Sequence, residues 1–317
     1  MVLVRAAVIT EAVEAPRFSI IVPAYQVAPT LAETLDALVA QSLADWECIV
    51  VDDGSTDETL AIASAYARRD PRIRVIHQRN QGTAGAYNAG VMAASGDFIV
   101  ICSADDILLP EHLSRMAAFI DSERGYDIYS TNGYSWWPGD YRELCDGPWE
   151  GPEIRSLVLS DVIRCCFYSV GATYKRDLFS SVGGYRVGIF GEDYDFWLRA
   201  LAKGARHRYL PEALSLFRRS PSQKSAKLEA TFLSDIRLIS DLGRDFDLSV
   251  AEKTAVAERI RELESKIDEG RRPWVRARRA VRDLLVRVLG RRRAGPLLRT
   301  LKSILVRPSP NETLHSG

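Results

Sequence analysis

The chain has 317 residues, and 46% of them are hydrophobic, which is ordinary for a globular protein and allows one large domain with an appendage. Lys plus Arg equals Asp plus Glu at 42 each, but residues 271–317 hold thirteen basic and two acidic side chains. The body is therefore acidic and the C-terminal segment basic, which suggests an anionic partner for that segment. No stretch approaches the roughly 18–20 apolar residues of a spanning helix.

The cysteines and the N-terminus indicate the compartment. The five cysteines show no Cys-x-x-Cys spacing, which disfavours a disulfide framework or a zinc site and favours a reducing cytosol. The N-terminal extension, residues 1–16, acquires Glu11 and Glu14 before any long apolar region and makes a poor signal peptide. We therefore expect a cytoplasmic protein, either soluble or peripheral on the inner face of the cytoplasmic membrane.

From Phe18 onward, short apolar runs alternate with helical periodicity. Strands are predicted in "FSIIVPAY", "WECIVVDDGSTD", "IRVIHQ" and "DFIVICSADD", and helices in "TLAETLDALVAQS", "ETLAIASAYARRD" and "AGAYNAGVMAAS". Thr30 is the predicted N-cap of the first helix, with Glu33 three residues on. This alternation predicts βαβ units and a mostly parallel sheet, whose ligands bind beyond the C-terminal ends of the strands.

The second half is less regular. "DIYSTNGYSWWPGDYREL" has strand character followed by an aromatic loop, and "GEDYDFWLRALAKG" starts on acids and becomes a helix. "HRYLPEALSLFRRS" reads as strands around Pro211. From about Leu228 the pattern is helical, with breaks near Gly270, Gly290 and Pro296.

Five segments, in this order, resemble the family-2 glycosyltransferases of the GT-A fold: "SIIVPAYQ", "VVDDGSTDET", "NQGTAGAYNAG", "SGDFIVICSADDILLPEHL" and "GEDYDFWLRA". The resemblance implies an α/β, Rossmann-like mixed sheet, mostly parallel and flanked by helices. It also implies a catalytic domain over 17–227, followed by a helical, basic region over 228–317. Within the catalytic domain, residues 17–110 would bind a nucleotide-sugar and residues 111–227 an acceptor.

The resemblance assigns donor-binding residues to the strand ends. Acids at a strand end can accept hydrogen bonds from a base or a ribose, and in the family they do so after the second strand. By this resemblance Asp53, with Asp52 nearby, contacts the base or the ribose. The nucleoside is lined by Pro23, Ala24 and Tyr25. An Asp-Gly turn with a capping acid is the alternative interpretation of "VVDDGSTD".

Two adjacent carboxylates, Asp105 and Asp106, end the fourth strand, where they would repel each other unless a cation were present. In the family an acid-x-acid motif here grips ribose and Mn²⁺ or Mg²⁺, so Asp105 is the expected main ligand, beside Asp106. Ser103 and Ala104 complete the motif, with Ser103 where the first acid often lies. The alternative is that both acids cap the turn before Pro110.

The C-terminal side of the predicted metal site departs from the family in a second way. Ser220 fills the place of a histidine that often helps to hold the metal, which makes metal dependence less secure. Arg218 and Arg219 are expected to compensate by binding diphosphate, and the alternative is that both are merely solvated.

The motif "FGEDYDFWLRA" is expected to supply the catalytic base. An inverting transfer needs one carboxylate to accept the proton of the acceptor hydroxyl. By resemblance that base is Asp193, with Glu192 orienting it or touching the acceptor, and Asp195 is structural. The alternative role of these acids is to offset the helix dipole.

Weaker predictions concern small and aromatic residues. Gly82 and Asn88 are placed near ribose or diphosphate, and Thr173 near the donor sugar or acceptor. Trp136 and Trp137 would stack on an acceptor sugar, or simply pack.

The basic segment, residues 271–307, mixes arginines with an apolar stripe. A basic amphipathic helix suits an anionic membrane surface, although packing on the acidic body is nearly as well supported. Nucleic acid is not expected to be a partner.

The resemblance implies an inverting glycosyltransferase that transfers a sugar from a nucleotide-diphospho-sugar to a saccharide or lipid-linked acceptor, in cell-surface polysaccharide or glycan synthesis. A metal-dependent nucleotidyltransferase would need a glycine-rich basic loop after the first strand, and "VPAYQVAPT" has none. A weak or inactive nucleotide-sugar-binding protein is the remaining alternative, because Ser103 and Ser220 replace common metal ligands.

Overall fold

The computed structural model of the chain describes residues 15–138, 142–145, 153–165, 170–220 and 227–272. The strands are β1 (Phe18–Ala24), β2 (Trp46–Asp52), β3 (Ile73–His77), β4 (Phe98–Ile101), β5 (Ile107–Leu108), β6 (Ile128–Trp136), β7 (Arg142–Leu144), β8 (Thr173–Lys175) and β9 (His207–Arg218). The helices are α1 (Ala28–Val39), α2 (Thr59–Arg69), α3 (Gly82–Ala93), α4 (His112–Ser122), α5 (Leu159–Arg164), α6 (Arg176–Val182), α7 (Glu192–Ala202), α8 (Leu228–Asp245) and α9 (Val250–Arg271).

The strands form one mixed sheet in the order β3-β2-β1-β4-β8-β6-β9-β5, with β7 paired to β6. Strands β1 to β4 are parallel, β8 runs antiparallel between β4 and β6, and β9 is parallel to β6. Most strands therefore point the same way, and the predicted α/β sheet is confirmed. Their C-terminal ends meet along one edge.

Both faces of the sheet are buried because successive side chains on each strand point to opposite sides. Ile20 and Val50 pack in one cluster with Leu35 of α1. Ile21 and Val51 pack in the other cluster, which also contains residues of α3 and α7. The continuous apolar runs of the first four strands are explained by this double cover.

Helix α1 begins two residues before the predicted N-cap. Its cap is Val27, and Pro29 lies in the first turn, where its fixed φ and missing N–H suit a helix start. Thr30 is therefore inside the helix, and the predicted N-cap was wrong. Its hydroxyl has two acceptors within reach, the carbonyl of Val27 at 3.3 Å and that of Ala104 at 3.0 Å.

The second half contains two further differences from the predicted elements. β9 is a single strand through Pro211, where its pairing with β6 changes register between Thr131 and Asn132. A proline is tolerated at such an irregularity because no ladder hydrogen bond is required there. The C-terminal helical pattern is broken at 246–249, between α8 and α9.

Helices α8 and α9 share a core with the catalytic half. Leu238 and Ile239 of α8 and Leu263 of α9 belong to the same buried cluster as Trp197 of α7. The predicted boundary at residue 228 thus separates segments that are packed together. Of the basic segment 271–307, the part beyond Arg272 lies outside the described residues. Within those residues, every helix is either too short or too polar to cross a bilayer.

Candidate active site

The turn after β4 carries the predicted metal-binding acids. Asp106 has no exposed surface, and its Oδ1 accepts a hydrogen bond from the backbone N–H of Arg218 at 2.9 Å. Its Oδ2 is buried without a hydrogen-bond partner among the described residues. Burial, and next the neighbouring charge of Asp105, raises the pKa of Asp106 well above its usual range. The backbone N–H and the charge of Arg218 oppose this shift only in part, so the turn holds two adjacent carboxyl groups of which one is buried.

The acids at the end of β2 are buried and organise the adjoining loop. Asp52 contacts His77 (Nδ1–Oδ2, 2.6 Å). Asp53 accepts hydrogen bonds from the side chain of Gln78 (2.7 Å) and from the backbone N–H groups of Gln81 (2.9 Å) and Gly82 (2.8 Å). These contacts fix the loop that starts α3. Nucleotide binding by both acids stays a prediction.

The other residues predicted beside the nucleotide lie on both sides of this loop. Tyr25, at the end of β1, is 50% exposed, whereas Ala24 is buried and its carbonyl accepts the N–H of Asp53 at 2.8 Å. Pro23 pairs with Val51 inside the sheet, one residue before Ala24.

Asn88 is turned toward the helix-connecting segment. Its side chain exchanges two hydrogen bonds with the backbone of Tyr185, at 2.8 and 2.9 Å. This pair of hydrogen bonds gives Asn88 a structural role, because it joins α3 to the segment after α6.

The three acids at the start of α7 differ in how deeply they are buried. Gly191 precedes the helix with φ of 83°, a left-handed conformation that favours glycine. Glu192 is buried, whereas Asp193 is exposed. Asp195 is 2% exposed and forms ion pairs with Arg186 and Arg199. Its partners give Asp195 a structural role, and Asp193 alone of the three presents an exposed carboxylate.

We call the turn after β4, residues 103–106, the acid turn. It meets α7 at a cleft of about 420 Å³. Its walls include Ser103 and Asp106 from the turn, Asp193 from α7, Arg219 from the end of β9, and Tyr87 from α3. Burial, followed by the charges of Asp193 and Glu192, raises the pKa of Tyr87 well above its usual range. Residues more than a hundred positions apart therefore face one space.

Arg218, the last residue of β9, and Arg219, which follows it, have different surroundings. Arg218 is buried: its Nη2 is paired with Glu33, its Nε donates to the carbonyl of Asp105 (2.7 Å), and its guanidinium lies 4.4 Å from the ring centroid of Trp136. Arg219 is exposed and lines the cleft, where its Nε and Nη2 donate to Ser135 Oγ at 3.1 and 2.8 Å. The structure thus favours only Arg219 as a contact for diphosphate.

Two of the predicted acceptor contacts are changed by the structure. Thr173 has no exposed surface, since β8 is an interior strand, and its hydroxyl donates to the carbonyl of Gly171 at 3.0 Å. The prediction that Thr173 contacts the acceptor is therefore wrong, and Ala172 lines the cleft instead. Trp136 packs under Arg218, whereas Trp137 is partly exposed and its contact with an acceptor stays a prediction.

Helix α8 supports the base motif in a way that sequence patterns did not reveal. Ser234 Oγ donates a hydrogen bond to the carbonyl of Phe190, and a Cβ on Gly191 would lie 3.5 Å from Leu238. Burial raises the pKa of Asp235 to about 6, Arg259 opposes the shift, and the charge of Asp193 adds to it. A single carboxyl group with a raised pKa on an amphipathic helix belongs to no sequence motif, so the sequence alone could not have identified Asp235.

Among the described residues, the acids of the turn after β4 are the candidates for holding a cation. No group of three or more His, Cys, Asp or Glu side chains with metal-binding geometry occurs within the described ranges. Mg²⁺ commonly uses only one or two carboxylates, with water and substrate phosphates as its other ligands. The Asp105–Asp106 turn, with its unpartnered buried Oδ2, fits a cation shared with a diphosphate better than one enclosed by protein.

Comparisons with known proteins agree with this geometry. The pattern of the family described as "Glycosyl transferase family 2" matches residues 19–183. A glycosyltransferase of Mycobacterium tuberculosis named for PGL/p-HBAD biosynthesis is 31% identical over 241 residues, which is 72% of this chain and 87% of that protein. The Bacillus subtilis glycosyltransferase EpsJ is 34% identical over 216 residues, which is 65% of this chain and 62% of EpsJ. This chain therefore spans less than two thirds of EpsJ.

Solved structures show the same fold. TarS of S. aureus in complex with UDP-GlcNAc superposes with a TM-score of 0.63 at 24% identity, over 77% of this chain and 71% of that one. A mannosyltransferase from Pyrobaculum calidifontis, in complex with GDP-Man and Mn²⁺, gives 0.57 at 17% identity, over 93% and 89%. The matched family pattern, the relatives and the shared architecture together show that the chain belongs to glycosyl transferase family 2 and is a glycosyltransferase with the GT-A fold.

Proposed function

We propose that the chain is an inverting transferase that moves a sugar from a nucleotide-diphospho-sugar to a hydroxyl group of a saccharide or lipid-linked acceptor. The observation that carries the proposal is the shared cleft, which is lined by Ser103 and Asp106 of the acid turn, by Arg219 and by the exposed residue Asp193. A donor diphosphate beside Arg219 and the turn would leave its sugar in the same cleft as Asp193. The names of the relatives, one of them for PGL/p-HBAD biosynthesis, support a place in polysaccharide or glycolipid synthesis.

Asp193 would act as general base. Its carboxylate accepts the proton of the acceptor hydroxyl while that oxygen attacks the anomeric carbon. The bond from the anomeric carbon to the diphosphate breaks in the same step, and its electron pair leaves with the nucleoside diphosphate. A single displacement inverts the anomeric configuration and needs no enzyme nucleophile. Buried Glu192 would orient the base.

A bound Mn²⁺ or Mg²⁺ would supply positive charge to the departing diphosphate. Asp105 would hold it, with Asp106 adjacent and Ser103 too weak a donor to replace an acid. Arg219 would bind a diphosphate oxygen, since a guanidinium matches phosphate geometry. The mannosyltransferase of the same fold that was solved with GDP-Man and Mn²⁺ supports a role for a divalent cation beside the donor.

The nucleoside would lie over the ends of β1 and β2. Tyr25 offers an exposed ring, and Asp52 and Asp53 hold the loop that carries Gly82. A thermal-shift screen with UDP-, GDP- and dTDP-sugars identifies the donor, because a ligand at a hundred times its dissociation constant stabilises by about 2.7 kcal/mol. The proposal is abandoned if no nucleotide-sugar shifts the melting temperature.

Asp105→Asn tests the metal site. We expect more than ~10-fold weaker binding of the best nucleotide-sugar in Mn²⁺, because a neutral amide holds a cation poorly. In EDTA the variant and the wild-type protein should bind alike, as measured by calorimetry. Asp121→Asn, an exposed acid paired with Arg17, is the control and should bind normally in both conditions. An equal loss in Mn²⁺ and in EDTA would show that Asp105 does not act through a cation.

The basic segment is proposed to hold the enzyme at an anionic membrane surface on the cytoplasmic side. A chain shortened to end at Arg272 keeps α9 whole and should melt like the full chain. The full chain should sediment with phosphatidylglycerol vesicles at low salt, where the attraction between basic residues and anionic lipid is least screened. The shortened chain should not sediment with them. Phosphatidylcholine vesicles serve as the uncharged control. Early melting of the shortened chain would mean instead that the segment packs on the acidic body.

A further inference from the structure

The turn after β4 is held by side chains from distant parts of the chain. Three successive backbone carbonyls each accept one hydrogen bond: that of Ala104 from Thr30 Oγ1 (3.0 Å), that of Asp105 from Arg218 Nε (2.7 Å) and that of Asp106 from Thr34 Oγ1 (2.9 Å). Carbonyls of a surface turn are normally satisfied by water. Here the backbone on both sides of the Asp105 carboxylate is fixed by the protein.

Arg218 is itself held in one orientation. Its Nη2 pairs with Glu33, its backbone N–H donates to Asp106 Oδ1 (2.9 Å), and its guanidinium lies over the ring of Trp136. A guanidinium is a rigid planar fork, so holding Nη2 also fixes the direction of Nε. Glu33 therefore controls a hydrogen bond to Asp105 that it does not make itself.

Three of these side chains come from one face of α1. Thr30, Glu33 and Thr34 have the spacing i, i+3 and i+4, which places them side by side on a helix surface. Thr30 and Thr34 reach the turn directly, and Glu33 reaches it through Arg218. We call Thr30, Glu33, Thr34 and Arg218 the α1 clasp.

We propose that the α1 clasp positions Asp105 for the cation and diphosphate of the donor, and that Glu33 and Arg218 are its positioning residues. This inference rests on the proposed function. In this proposal Arg218 orients the acid turn, and Arg219 is the arginine that contacts the diphosphate. Metal ligands are generally oriented by surrounding hydrogen-bond partners, whose loss weakens the metal site although the ligand remains.

Glu33→Gln tests the inference because it keeps the shape of the side chain and removes its charge. Glu33 is 53% exposed, so the variant should fold and melt like the wild-type protein. The readout is calorimetric binding of the tightest of UDP, GDP and dTDP, titrated against Mn²⁺. We expect half-saturation at a Mn²⁺ concentration ~10-fold higher, about the effect of one lost charge-assisted hydrogen bond, with unchanged nucleotide affinity in EDTA.

Two further variants separate positioning from general loss of stability. Glu212→Gln breaks another Glu–Arg pair, with Arg115, and should leave the Mn²⁺ requirement unchanged. Glu33→Gln combined with Arg218→Lys should require no more Mn²⁺ than Arg218→Lys alone, since Glu33 acts through Arg218. Thr30→Val keeps the volume and removes one clasp hydroxyl, and it should raise the Mn²⁺ requirement by itself.

The outcomes distinguish this inference from the proposed function. If the wild-type protein binds every diphosphate equally with and without Mn²⁺, the cation part of the proposed function is wrong, and the clasp inference is wrong with it. If the wild-type protein responds to Mn²⁺ and both Glu33→Gln and Thr30→Val respond identically to it, only the clasp inference is overturned.

Discussion

Asp193→Asn is expected to leave donor binding nearly unchanged and to lower turnover by roughly 10²–10⁴-fold, the usual contribution of a positioned general base. Asparagine keeps the size and hydrogen bonding of the side chain but cannot accept the acceptor proton at neutral pH. Because Asp193 is exposed at the α7 wall of the cleft, the substitution should not disturb folding. Single-turnover kinetics with saturating donor place the loss in the chemical step.

The neighbouring acid provides the matched control. Asp195→Asn makes the same chemical change two residues away, on a side chain that faces Arg186 and Arg199. At a temperature where it is folded, it should retain much more turnover than Asp193→Asn. Near-normal transfer by Asp193→Asn, or a defect confined to donor binding, would remove Asp193 from the mechanism and make Glu192 the next candidate.

Asp195→Asn should instead lower the free energy of unfolding by about 3–5 kcal/mol, the typical cost of removing one partner from a buried ion pair. Asp195 is 2% exposed, and Arg199 would keep its buried charge without a counterion. In a chain of this length the melting temperature should fall by roughly 10 °C. Denaturant unfolding followed by circular dichroism measures the change.

An exposed pair is the control for this effect. Asp247→Asn removes a carboxylate that pairs with Lys253 at the protein surface, and its melting temperature should barely move because water screens such pairs. If Asp195→Asn melts as late as Asp247→Asn, the two arginines find other partners and Asp195 does not organise the start of α7.

The first half of the fold was predictable because its signals are local. Apolar runs such as "CIVV" of β2 and the 3.6-residue period of α1 depend on neighbouring residues alone, and the parallel sheet follows from their alternation. The acids of the candidate site were predictable for a related reason. Each lies at a strand or helix end, and such ends converge in a parallel sheet.

What the sequence did not reveal depends on distant partners. Thr30 and Glu33 have the spacing of a capping pair, but the helix starts earlier in the chain, at Ala28, with Pro29 in its first turn. Both side chains therefore lie inside the helix and face the acid turn. Arg218 and Arg219 are adjacent and of the same residue type, and their different partners, Glu33 for one and Ser135 for the other, come from distant parts of the chain. The burial of Thr173 follows from the strands on either side of β8, which lie far away in sequence.

The irregular pairing of β9 with β6 determines which arginine enters the cleft. From Thr131–Leu210 to Trp136–Arg218, β9 contains three more residues than β6, an odd excess that inverts the facing of every later side chain in β9. Neighbouring residues of a strand always face opposite sides, and this phase turns Arg219 rather than Arg218 toward the cleft. A one-residue deletion near Pro211 is therefore expected to turn Arg218 toward the cleft and Arg219 away from it. An alignment of related sequences across that segment has to preserve this odd excess of residues in β9, because a gap placed there changes which arginine lines the cleft.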